Sequence, residues 1–147
     1  GWDSDGSYSI HLSDRSMKSL PDDTQNRFVF SMANLDRELE PGIDPPRIEI
    51  ELESQNGEKA RISLSEIKSV HPSMFTRFTH WPWLEQRMKK GAYKEAAEPV
   101  FQTYELPLNA FAQTNPAFES SEIIRVTFYV LGSPGKVMID DLGFMSK

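Results

Sequence analysis

Two groups of residues in this chain have the types and spacing to do chemistry. The first is the pair Asp140-Asp141 in the run Lys136-Val-Met-Ile-Asp-Asp-Leu-Gly-Phe144. Val137 and Ile139 share one parity there, while Leu142 and Phe144 share the other. Burying all four requires an extra residue at the aspartates, which is what a β-bulge supplies. Carboxylates at a bulge need partners, either backbone N–H groups or a hard cation such as a structural calcium. The second group is Phe75-Thr-Arg-Phe-Thr-His-Trp-Pro-Trp-Leu84, which packs aromatics, an arginine and a histidine into one short run. Sugar recognition needs an aromatic plate for C–H faces and planar donors and acceptors for hydroxyls. Arg77, His80, Trp81 and Trp83 offer both. The same rings also read as core plugs anchoring a helix, or as an interface with a neighbouring domain, since aromatic residues and Arg dominate such contacts.

A third set of charged residues has a plainer reading. Arg47-Ile-Glu-Ile-Glu-Leu-Glu53 alternates strictly, with Ile48, Ile50 and Leu52 on one side and Glu49, Glu51 and Glu53 on the other. Asn56-Gly57 follows, a pair that favours a type I′ turn, and Lys59-Ala-Arg-Ile-Ser-Leu64 returns. The glutamates then face Lys59 and Arg61, as cross-strand charge pairs rather than as acid–base or metal groups. Motifs for catalysis are missing: there is no nucleophile elbow, His-Glu-x-x-His, phosphate loop or dinucleotide fingerprint. His11, His71 and His80 are scattered, and there is no cysteine to serve as nucleophile, thiolate ligand or disulfide. The chain therefore reads as non-enzymatic.

The elements that must position these groups are mostly strands. Ser7–Leu12, Arg27–Ala33, Val100–Leu108 and the runs around Asn56-Gly57 all alternate with period two. Glu122–Leu131, Gly132-Ser-Pro-Gly135 and Lys136–Phe144 read as a closing β-hairpin, with Ile124, Val126, Phe128 and Val130 on its inner face. Residues 74–79 are a candidate short strand. Pro82 to Lys90 is the one predicted helix, opened by Pro82, stapled by Leu84 and Met88, and ended by Gly91. Leu108–Phe111 and Asn115–Phe118 read as turns that hold aromatic plugs. Strands without βαβ alternation predict an all-β antiparallel sandwich of jelly-roll type with one short helix, in a single domain over 1–147.

Composition bounds the partners. The chain has 147 residues, 38% hydrophobic and 26% charged, enough for a real core. Its net charge of −6 and unclustered basic residues argue against nucleic acid. No stretch approaches the roughly 18 apolar residues of a membrane span. A leading Gly in place of Met reads as a domain cut from a longer protein.

Three phrases, Val100-Phe-Gln-Thr-Tyr-Glu-Leu-Pro-Leu-Asn-Ala-Phe111, Glu122-Ile-Ile-Arg-Val-Thr-Phe128 and Gly135-Lys-Val-Met-Ile-Asp-Asp-Leu-Gly-Phe144, resemble in type and order the strands of galactose-binding-like jelly-roll domains. These include carbohydrate-binding modules and C-terminal accessory domains of bacterial hydrolases. The resemblance covers about a third of the chain. It implies a non-catalytic accessory module, secreted or periplasmic, that binds a polysaccharide or oligosaccharide. The alternative it leaves open is a structural domain that packs on the catalytic domain of the same chain and takes no glycan. It also implies that Asp140 or Asp141 helps hold a structural calcium, with Asp3 and Asp5 as further oxygen donors.

Overall fold

The computed structural model describes residues 5–12, 26–35, 47–70, 74–76, 96–132 and 136–146. In chain order these form β1 (Gly6–His11), β2 (Arg27–Asn34), β3 (Arg47–Ser54), β4 (Lys59–Ser63), a 3-10 turn (Leu64–Glu66), β5 (Met74–Thr76) and β6 (Ala96–Glu98). β7 (Gln102–Pro107), α1 (Leu108–Thr114), β8 (Ile123–Leu131) and β9 (Val137–Met145) follow. One sheet runs β1-β8-β3-β4 and a second β7-β2-β9, all pairs antiparallel, and β5 pairs with β6 separately. The chain is an all-β sandwich.

Period-two alternation decides what lies between the sheets. Phe28, Phe30 and Met32 of β2, Ile48, Ile50 and Leu52 of β3, Tyr104 and Leu106 of β7, and Val126 and Phe128 of β8 are all buried. Phe128 meets Phe30 edge-on at 5.3 Å between ring centres, and Phe30 stacks on Tyr104 at 5.1 Å. The sheets are thus locked by interdigitated rings, whose mutual geometry adds about 0.5–1.5 kcal/mol per pair beyond area burial.

Two sequence expectations fail at turns. β8 and β9 are not a hairpin: they belong to different sheets. Both strands have an apolar face, and those faces meet across the core, which satisfies the same alternation that a hairpin would. The Asn56-Gly57 connection is not type I′, because only Gly57 has positive φ (86°). Gly57 N–H donates to Ser54 O at 2.9 Å, and Ser54 N–H donates to Glu58 O at 2.9 Å. That is a three-residue loop with glycine in the left-handed position, the next most common hairpin after the two-residue forms. Asn56 Oδ1 accepts from Glu58 N–H at 3.0 Å, so the asparagine acts through its side chain rather than its φ.

Leu108–Thr114 is a helix where turns were expected. Pro107 (φ −60°) sits at its N-cap, and Leu108 and Phe111, three apart, are its buried residues. Asn115 ends it with an extended backbone, as the residue before Pro116 favours. The plug reading of Phe111 and Phe118 holds: they are 0% and 4% exposed, with ring centres 6.4 Å apart. The helix predicted over 82–90 lies outside the described residues.

Candidate functional site

The polar face of the larger sheet is the most organised cluster of charge among the described residues. It is built by alternation: residues between the core positions of β3, β4 and β8 all point to one outer surface. Glu51 stands at its centre with its side chain only 9% exposed. Arg61 donates to Glu51 Oε2 through Nε at 3.2 Å and Nη2 at 2.8 Å. The Tyr129 hydroxyl donates to Glu51 Oε1 at 3.2 Å, and Lys59 Nζ lies 3.6 Å from the same oxygen. The Arg61 guanidinium stacks 3.7 Å above the Tyr129 ring. Glu49 pairs with Arg61, and Glu53 with Lys59 and Arg125. The predicted cross-strand pairing with Lys59 and Arg61 is therefore present. Arg125 and Tyr129, on the same outward face of β8, are partners that sequence reasoning missed.

This geometry sets the chemistry of Glu51. Burial pushes its carboxyl upward, but the hydrogen bonds and charge of Arg61, aided by Lys59 and Tyr129, outweigh burial and leave it below the usual value of 4.5. A general acid needs the opposite shift. The same contact holds Arg61 more firmly protonated than usual. The cluster is a clamp across three strands.

The aspartate pair lies at the bulge that the parities require. Val29 pairs with Gly143 but Ser31 with Asp140, so β9 spends one more residue than β2 over this step. Asp141 takes φ 54°, and its N–H donates to Asp140 Oδ1 at 2.9 Å. The parity change brings Phe144 against Phe28, 5.3 Å between ring centres, while Leu142 stays 36% exposed. Both aspartates are exposed. Asp5 Oδ1 accepts from Gly132 N–H at 2.7 Å, and Asp3 lies outside the described residues. Among the described residues no three His, Cys, Asp or Glu side chains come together in a way that could hold a metal ion. Arg77, His80, Trp81 and Trp83, the predicted sugar site, lie outside the described residues.

Sequence reasoning did not anticipate a cleft of about 570 Å³ between the sheets, where β1 and β9 form neighbouring edges. Tyr8, Phe128, Val130, Val137, Met138 and Ile139 line it, with Gly6 and Ser7 at its rim. Tyr8 is 64% and Met138 46% exposed, although Tyr8 shares the alternation of the half-buried Ile10. That mismatch, an exposed aromatic on the inward parity of the first strand, is the sequence trace of the cleft.

The opposite edge is closed. There α1 packs on β4 and touches β7, and Phe111 and Phe118 fill the gap. Asn115 fastens the closure: its Nδ2 donates to Glu58 Oε2 and Lys59 O, both at 3.0 Å, while its Oδ1 accepts from Ala117 N–H at 3.0 Å. Comparison with protein-family models, characterised proteins and solved structures yields no match for this chain. No helix among the described residues is long and apolar enough to cross a membrane.

Proposed function

We propose that this chain is a non-catalytic accessory module of a larger hydrolase, whose work is to hold a partner rather than to transform one. The observation that carries the reading is the asymmetry of the sandwich. One lateral edge is sealed by the chain's own helix, and the other opens on a ligand-sized cleft. On the outer face of the larger sheet, the most buried carboxylate of the polar cluster, Glu51, is bound to Arg61, which holds it below its usual value.

Carbohydrate is the ligand class that the resemblance to galactose-binding-like modules supports, and Arg77, His80, Trp81 and Trp83, outside the phrases that carry the resemblance, are the residues whose types suit it. Affinity electrophoresis through gels of soluble polysaccharides tests it. The expected result is retardation by one polysaccharide class, abolished in Trp81→Ala/Trp83→Ala. Unretarded migration in every gel would remove the glycan role.

The second reading, an interface with a neighbouring catalytic domain, is favoured by the lining of the cleft. Val130, Val137, Ile139 and Phe128 supply aliphatic and aromatic wall, and the Tyr8 hydroxyl is the polar side-chain group that shares their inward parity. Sugar hydroxyls gain little from such a wall, whereas apolar side chains of a protein gain about 25 cal/mol per Å² of apolar surface buried.

A further inference from the structure

We infer that the β1/β9 cleft accepts an extended polypeptide strand with alternating apolar residues and basic ends, donated by a neighbouring protein domain. This deepens the interface role proposed above and rests on it. Among the described residues β1 pairs only with β8 and β9 only with β2, so each is an edge strand whose outer row of backbone groups, in the plane of its own sheet, borders the mouth of the cleft. A row of N–H and C=O groups at strand spacing is matched by another extended backbone. The wall has the same preference. Tyr8, Val137 and Ile139 alternate along their strands, so an added strand can bury every second side chain among them and turn the others to water.

Charge selects the ends of that strand and argues against a second copy of this chain. Asp5, next to Gly6, and Asp140, next to Ile139, are exposed and adjoin the lining residues along β1 and β9, with Asp141 after Asp140 and Lys136 as the neighbouring cation. The Gly132 and Asp141 amides orient two of these carboxylates without cancelling their charge. A chain of net charge −6 is repelled by such a rim, whereas Lys or Arg at the ends of an incoming strand is drawn to it.

The test is an amide NMR titration of the folded chain with short peptides of alternating Val and Thr. One peptide carries paired lysines at both ends, one carries glutamates, and one has its apolar residues run together. The expected result is saturable binding of the lysine-ended alternating peptide, with shifts confined to β1, β9 and the cleft wall. Binding should be about tenfold weaker with glutamate ends. Asp140→Lys, at an exposed position, should weaken the first peptide and strengthen the second, and Tyr8→Ala should weaken both. Shifts on β4 or β7, indifference to the ends, or dimerisation of the chain through β1 and β9 would overturn the inference. If no peptide binds, yet a photocrosslinker at position 8 joins the neighbouring domain in the parent protein, the strand chemistry fails and the interface role stands. If neither occurs, both fall.

Discussion

The two lateral edges of this sandwich are built from similar strands and end differently. At β4 and β7 the chain returns as α1, buries Phe111 completely and stitches the hairpin tip to the 115–118 loop through Asn115. At β1 and β9 the flanking apolar residues stay half buried or exposed, and exposed aspartates adjoin them along the strands. Edge strands invite association unless covered or charged. Covering serves stability. Charging keeps like chains away while leaving the apolar wall available, so the contrast separates a sealed edge from the one proposed to bind.

The contrast breaks first at Phe111. Phe111→Ala should cost about 3–5 kcal/mol in urea unfolding, because a fully buried ring leaves a cavity that the sheets cannot collapse into. A loss below 1 kcal/mol would mean that α1 does not seal its edge.

The polar face, which belongs to neither edge, is the next largest effect. Arg61→Met should cost about 1–3 kcal/mol by leaving the buried Glu51 carboxylate under-paired. Its pH dependence has a definite sign. Glu51 has a folded value below 4.5, so its contribution is fully present above that pH and is lost as pH falls through the folded value. Thermal melts of Glu51→Gln across the acid range should therefore show a flatter loss of stability than the parent chain. An unchanged acid limb would contradict the clamp.

Asn115→Ala should cost about 1 kcal/mol, since its amide joins the β3–β4 tip to the loop after α1 in partly exposed surroundings. At the open edge the signs change. Asp141→Gly should stabilise by about 0.5–1 kcal/mol, because glycine takes the positive φ of the bulge without a Cβ penalty. Tyr8→Ala and Met138→Ala should fall within about 0.5 kcal/mol of the parent chain, as exposed residues do. A large loss from either would show that the cleft is part of the stabilising core.

The sequence made the strands legible because period two is a local property. The inward faces of β2, β3, β4 and β7, the bulge at Asp140-Asp141 and the pairing of Glu49, Glu51 and Glu53 with Lys59 and Arg61 all follow from neighbours along the chain. Sheet membership does not. Ile123–Leu131 and Val137–Met145 have the same alternation whether they pair side by side or face each other, so alternation does not distinguish a hairpin from the observed placement in two sheets. The second bulge shows the same limit. Glu53 pairs with Arg125 but Ser54 with Ile123, so Ile123 enters the core at 1% exposure and Ile124 slips out of the place its parity predicted. α1 escaped notice because it is only two turns long, and its signal is Pro107 followed by Leu108 and Phe111. The cleft is not legible because Tyr8 has the parity of a core residue, and its exposure depends on how the edges of two sheets meet.

Hydrogen exchange on the folded chain, with and without the lysine-ended alternating peptide, tests the contrast between the edges most directly. Exchange of amides in Gly6–His11 and Val137–Met145 should slow, with Lys59–Ser63 and Gln102–Pro107 unchanged. Slowing on β4 and β7, or no change on β1 and β9 at saturating peptide, would contradict that contrast.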